Sequence, residues 1–365
     1  MLRIIHLAGP PKAMGEAFGE AHRAEIQEFY RLRVLNALSQ AAQYGGRKLG
    51  ESHLLAVAQK SLSVSESYDP AGFQELNGIA RGANLSVEQA FAMNGLTDLR
   101  DVLAWSKEVP GFEGCSSFLI QGDKTKDGRI LAGQTWDLAT DNMPYVIGVH
   151  RRPKDGPETW CLSTVGCLSL IGLNAEGIAI GTTNIRTKDA RPGICYLSVI
   201  HKVLSTRRME DAIDAVRTKG RAAAHYYWLA SRDRRTVGVE CTAAQEDLVE
   251  VERGHYVHCN HVLLTVNQAL ESAPPKPSES TVCRQNRLSE LIGSAPPGSI
   301  DAGTMRRFLS DHEGGEGAIC RHDLAGISSN GAVIVSVEEG KIIACQGLPC
   351  TAEWVDLVSG NRAPA

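Results

Sequence analysis

The pattern of this chain changes character at residue 115, and any fold must accommodate both halves. Up to about residue 110, after one short strand over 3–7, the pattern is helical. Residues 13–42 are rich in alanine, glutamate, leucine and arginine, and Phe18, Ile26, Phe29, Leu32, Val34 and Leu38 roughly follow a helical period. Further helices are predicted over 52–68 and 72–80, and after Ser86, where Ser-Val-Glu-Gln offers an N-terminal capping pattern. From Cys115 to Asn184 the chain becomes short β-type runs, over 115–121, 129–137, 145–151, 159–164, 168–174 and 178–184. Asp127-Gly128 and Glu176-Gly177 supply turn chemistry between them. Helices follow at 195–205 and 209–217, then strands at 226–231, 236–241, 248–252 and 256–260. A proline-rich loop at 272–280 leads to helices at 283–292 and 301–310, a glycine-rich loop at 314–317, and a closing hairpin of 331–337 with 341–346. This succession predicts an α+β fold of two antiparallel sheets stacked between helical layers.

Composition narrows the function classes. The chain has 365 residues, 43% of them hydrophobic, and a formal charge of -4, enough for a substantial core. Basic residues are scattered apart from Arg232-Asp233-Arg234-Arg235, and aromatic residues are only 5%, so no nucleic-acid partner is expected. The apolar stretches are too short for a bilayer, and the start breaks at Gly9-Pro10-Pro11 before a signal-peptide core forms, so a cytoplasmic, non-membrane protein is expected. Ten cysteines are too dilute for a disulfide scaffold, and the nine besides Cys115 read as buried free thiols. The nearest approach to a metal pattern, His258-Cys259-Asn260-His261 with Cys320-Arg321-His322, lacks Cys-x-x-Cys or His-x-x-x-His spacing, so no metal is expected.

The junction Glu113-Gly114-Cys115-Ser116-Ser117 carries the sharpest chemistry. Cutting Gly114–Cys115 gives one residue both a thiol and an α-amine, whose reference pKa of about 7.7–8.0 suits it to take the thiol proton. If 115–121 and 129–137 form a hairpin turning near Lys126, position 115 faces Asp137 at roughly 5 Å, within reach of that new amine. Spacing alone leaves a second reading open, an exposed cysteine at a strand start with an ordinary turn aspartate.

Four separated motifs carry a resemblance: Gly114-Cys115-Ser-Ser, Gly-Gln-Thr-Trp-Asp137, His258-Cys-Asn260-His261 and Ala-Ile-Cys320-Arg321-His322. Together they resemble the acyl-coenzyme A:isopenicillin N acyltransferase family of autoproteolytic N-terminal-nucleophile hydrolases. The segments Glu75-Leu-Asn-Gly-Ile-Ala80 and Gly82-Ala-Asn-Leu-Ser86 are similar to that family's prosegment. The resemblance implies a four-layer αββα sandwich, divided by cleavage at Gly114–Cys115 into a mainly helical segment, 1–114, and a catalytic domain, 115–365. It implies Cys115 as nucleophile, Asp137 as the residue that positions its amine, Asn260 as an oxyanion-hole donor, and Arg321 holding Asp137 or a substrate carboxylate. Asn184 resembles an asparagine that faces the pocket in related acylases, and Thr164 is placed with it as substrate-binding. His258, His261 and His322 are read as structural histidines.

The activity so implied is that of a self-cleaving amidohydrolase or acyltransferase that needs no cofactor. It would act through an acyl-thioenzyme on a small N-acyl amide or thioester, the two fragments staying associated, with homo-oligomers allowed. No glycine-rich phosphate loop or basic cluster marks a coenzyme A site, which favours hydrolysis over acyl-CoA-dependent transfer. A non-catalytic binding protein retaining the fold and a papain-like cysteine hydrolase are the competing classes.

Overall fold

The helical first part folds as its period demands. The computed structural model describes residues 2–45, 48–104, 114–324 and 326–363. α1 (Pro11–Ala21) begins on a proline at its first position, where the missing N–H has no helical partner to lose. It ends at His22 and α2 (Arg23–Gly45) follows, so the run expected over 13–42 is two helices. α3 (Glu51–Tyr68), α4 (Pro70–Ala83), α5 (Val87–Asn94) and α6 (Leu96–Ala104) complete this part. At α5 the Ser86 hydroxyl accepts from the Gln89 N–H at 3.2 Å, and the Gln89 side chain accepts from the Ser86 N–H at 2.9 Å. This is the capping box legible in Ser-Val-Glu-Gln. α1 and α4 pack backbone against backbone: β-carbons at Gly15, Gly19, Gly78 and Gly82 would each fall within 2.5 Å of a carbonyl oxygen of the other helix.

The alternating runs form two sheets. The larger has the order β1 (Ile4–Gly9), β4 (Val146–Pro153), β5 (Thr159–Thr164), β6 (Ile171–Asn174), β7 (Ile178–Ile185), β8 (Ala224–Ser231), β9 (Thr236–Cys241) and β10 (Glu246–Glu250). The smaller has the order β11 (Gly254–His258), β2 (Gly114–Gln121), β3 (Leu131–Ala139), β12 (Ile327–Ser336), β13 (Lys341–Gln346) and β14 (Trp354–Asp356). The expectation of purely antiparallel sheets needs one correction, because β1 pairs parallel with β4. Six helices and the first hairpin separate the two strands, ample chain for a crossover.

Helices cover both sheets. α7 (Tyr196–Leu204) lies against β6 and β7, α8 (Met209–Val216) against β8, and α4 packs on α7. After the single turn α9 (Thr265–Gln268), α10 (Ser280–Ser294) and α11 (Ala302–Leu309) cover the smaller sheet. There Leu288, Ile292, Met305 and Leu309 pack on Phe118, Ile120 and Leu131. Alternation sends Leu119, Cys115 and Trp136 the other way, into the core shared with Leu162 and Ile180 of the larger sheet. Gln134 of β3 ties the sheets together: its amide donates to the Thr182 carbonyl at 2.7 Å and accepts from the Thr182 N–H and Trp228 Nε1, both at 2.8 Å. The result is the four-layer αββα sandwich. Among the described residues no helix is long and apolar enough to cross a membrane.

Candidate active site

β2 opens at Gly114; Glu113, which precedes it, lies outside the described residues. In the β2–β3 hairpin Gly114 pairs with Asp137 and Cys115 with Trp136, one residue away from the expected pairing of 115 with 137. The connection explains the slip. It contains a 3-10 turn, Gly122–Lys124, and then Thr125, which bridges to Ile300 instead of continuing the hairpin. A one-residue change of register exchanges faces. The Cys115 side chain therefore lies with Trp136 between the sheets, while Asp137 lies beneath Gly114 on the face covered by α10. The thiol still lies beside β3, with the Asp137 backbone N–H close enough to hold it down against burial.

A polar floor surrounds this junction. A β-carbon at Gly114 would lie 3.0 Å from each of three atoms: Asp137 Oδ2, Arg284 Nη2 and Arg321 Nη1. Arg284 is buried and donates from Nη1 to the Cys115 carbonyl at 2.5 Å and the Ser116 hydroxyl at 3.0 Å, and from Nη2 to Asn260 Oδ1 at 3.0 Å. Asp137 accepts from the Ser329 hydroxyl through Oδ1 at 2.7 Å, whereas its buried Oδ2 has no hydrogen-bond partner among the described residues. The same Ser329 hydroxyl accepts from the Arg321 backbone N–H at 3.0 Å, and the Ser329 N–H donates back to the Arg321 carbonyl at 3.0 Å. β12 shifts register between Ser329 and Gly331, a bulge of the kind that re-aims side chains beside functional sites.

Asn260, just past β11, completes the constellation. Its Oδ1 accepts from the Cys115 N–H at 2.8 Å, and its Nδ2 donates to the Asn184 carbonyl at 3.0 Å. Asn260 thus presents oxygen to Cys115, and one amide proton is committed to Asn184. The turn carrying Asn260 is braced from behind. His258 Nε2 lies 2.9 Å from Glu240 Oε1, its ring stacks on Tyr226 at 3.9 Å, and Glu240 also accepts from the Leu263 and Leu264 N–H groups. His261 bonds Thr281 at 2.9 Å, and burial, with His258 and Arg284 nearby, brings it down to about 4.

The two substrate-binding candidates separate. Asn184 belongs to the constellation through its backbone, while its side chain donates to Asp101 at 3.2 Å. Thr164 lies buried at the end of β5, its carbonyl accepting from the Cys167 N–H at 3.1 Å. Arg284 was not anticipated. The signal was present: Arg284, Leu288 and Ile292 form one buried stripe of α10, with an arginine where an apolar residue belongs.

Burial pushes the Cys115 thiol well above its ordinary value; the Asp137 charge adds to this and Arg284 opposes it. Burial also raises Asp137, against the pull of Arg284, Arg321 and the Ser329 hydroxyl. The thiol is thus held protonated, on a floor with two guanidinium groups to one carboxyl.

Fold and site together define an αββα protein whose candidate nucleophile opens an inner strand of the smaller sheet. Residues 124–339 match the family described as Acyl-coenzyme A:6-aminopenicillanic acid acyl-transferase, and the chain belongs to that family. The match contains Asp137, Asn184, Asn260, Arg284 and Arg321 and begins after Cys115. A curated relative, the 40 kDa form of acyl-coenzyme A:6-aminopenicillanic-acid-acyltransferase of Emericella nidulans, is 22% identical over 315 residues, covering 86% of this chain and 83% of its own. Among solved structures, the Caenorhabditis elegans ortholog of N-acylethanolamine-hydrolyzing acid amidase is 12% identical with a TM-score of 0.47, over 61% of this chain and 93% of its own. A mutant conjugated bile acid hydrolase from Clostridium perfringens is 12% identical with a TM-score of 0.48, over 69% and 97%.

Proposed function

We propose that this protein is a self-cleaving N-terminal-cysteine amidohydrolase or acyltransferase that works through an acyl-thioenzyme on a small N-acyl amide or related acyl donor. The observation that carries the reading is the convergence on Gly114–Cys115 of Arg284, Asn260, Arg321 and an uncommitted oxygen of Asp137. In the precursor the Cys115 sulfur attacks the Gly114 carbonyl; the C–N bond breaks as a C–S bond forms, and the thiol proton goes to the released amine. Water then hydrolyses the thioester, leaving a carboxylate on Gly114 and a free thiol on Cys115. The new ammonium finds an acceptor in Asp137 Oδ2, which supports the amine-positioning role of this residue. The second Asn260 amide proton and the two guanidinium groups suit the negative charge of a tetrahedral intermediate.

The family description names acyl-coenzyme A, and transfer from a thioester would use the same acyl-enzyme with a different second reactant. Intact mass under denaturing conditions tests the central claim. Wild type is expected as two fragments divided after Gly114, with Cys115→Ala whole; an undivided wild-type chain overturns it. Incubating the processed protein with N-acyl amides and with acyl thioesters, then weighing the Cys115 fragment, identifies the acyl group and separates the two donors.

A further inference from the structure

Beyond the Cys115 site, three loops bring four metal-ligating side chains to one point. His312 follows α11, Cys320 and His322 flank Arg321 before β12, and Cys350 lies between β13 and β14. One nitrogen or sulfur atom from each lies within 4.8 Å of all the others. The Nε2 atoms of His312 and His322 are 3.0 Å apart, and His322 Nε2 is 3.3 Å from Cys350 Sγ. The two imidazole rings meet edge to face at 77°, so both present nitrogen to a common centre without stacking.

We propose that His312, Cys320, His322 and Cys350 form a zinc site. With Zn–N near 2.0–2.1 Å and Zn–S near 2.3 Å, a tetrahedron places neighbouring nitrogens about 3.3 Å apart and nitrogen and sulfur about 3.5 Å apart. The observed 3.0 and 3.3 Å need an opening of a few tenths of an ångström, and the widest pair, at up to 4.8 Å, a closing of about 1 Å. Two thiolates and two imidazoles select zinc over calcium or magnesium, which demand oxygen ligands. The two thiols lose their protons on binding, so the filled site is neutral. A cavity of about 460 Å³ lined by His312, Cys320, Arg321 and His322 gives the ion a route from solvent.

Four protein ligands leave no open position, so the ion holds structure and does not activate water. What it holds is the segment carrying Arg321, whose guanidinium reaches the Gly114 position and whose backbone N–H is tied through Ser329 to Asp137. This departs from the sequence expectation of no metal. Spacing could not reveal the site, because Cys350 comes from a loop 28 residues beyond His322.

The experiment is metal analysis of the full chain, purified without chelator or a metal-affinity step and dialysed against metal-free buffer. The expected content is about one zinc per chain. Protein stripped by chelator and loaded with cobalt(II) should show the strong visible absorption of tetrahedral thiolate coordination. His312→Ala, an exposed change that spares folding, and Cys350→Ser should each weaken zinc binding about tenfold or more. Cys283→Ser, outside the cluster, should leave it unchanged. The site is overturned if wild type holds no zinc after loading and gives no cobalt spectrum, if both ligand variants retain zinc as wild type does, or if Cys320 and Cys350 are found as a disulfide in protein prepared without oxygen. None of these readouts depends on catalytic activity or on cleavage after Gly114.

Discussion

Gly114 leaves little room beneath it in the candidate site. Its missing side chain makes space for a carboxylate oxygen and two guanidinium nitrogens, all 3.0 Å from where a β-carbon would sit. These are the ends of side chains, so alanine there is accommodated by displacing one of them, and each has a part in the proposed cleavage. Gly114→Ala is therefore expected to fold with a nearly unchanged melting temperature, yet to lose its full-length band about tenfold more slowly, since the shift needed is a few tenths of an ångström and a full 1 Å costs about a hundredfold. A time course from freshly translated or refolded protein measures this. Cleavage at the wild-type rate would show that the packing beneath Gly114 has no part in the step.

At the level of elements, the site is where β2, β3, the bulged β12 and the first turn of α10 meet. α10 supplies Arg284, which serves the Cys115 carbonyl, the Ser116 hydroxyl and Asn260 Oδ1 together. Arg284→Met keeps the packing volume but strips donors from these buried acceptors and one cation from beside Asp137. It should destabilise the fold by about 2 kcal/mol or more in urea denaturation and block cleavage. Arg284→Lys restores the charge but not the fork, so it should recover stability more than cleavage; equal recovery of both, or wild-type behaviour of the methionine variant, would count against this role. The same elements show what the sequence made legible. Cys115 and Asp137 could be paired because a hairpin is local, and they missed by one residue because the turn borrows Thr125 to bridge a distant segment. Arg284 was hidden because an arginine on a helix ordinarily faces solvent, and only its alignment with Leu288 and Ile292 says otherwise. The parallel pairing of β1 with β4 joins strands too far apart in the chain for turn chemistry to register.

At the scale of the whole molecule, the proposed cleavage makes the contacts between residues 2–104 and the rest an interface between two chains. β1 is held in the larger sheet by β4, and Asp98 of α6 lies 2.7 Å from His225 of β8. A buried ionic cluster adds to these: Glu75 of α4 accepts from Arg151 of β4 at 2.8 Å, and His201 of α7 lies 3.0 Å from Asp69 and 3.5 Å from Glu75. Burial alone would raise Glu75, but Arg151 and His201 bring it down to about 2 from 4.5. Burial would lower His201, but its hydrogen bond to Asp69 and the Glu75 carboxylate 3.5 Å away lift it from 6.5 to about 9. The signs follow from linkage. The contribution of Glu75 is complete above pH 4.5 and is lost as pH falls toward about 2; that of His201 is complete below pH 6.5 and is lost as pH rises through about 9. The cluster thus binds the two chains most firmly between pH 4.5 and 6.5. Urea denaturation of the processed protein should show a midpoint that declines from pH 6.5 to 9, with His201→Gln flattening that decline. Glu75→Gln leaves Arg151 as an unbalanced buried charge and should cost about 3 kcal/mol near neutrality. If His201→Gln keeps the full alkaline decline, the cluster is not what couples fragment association to pH.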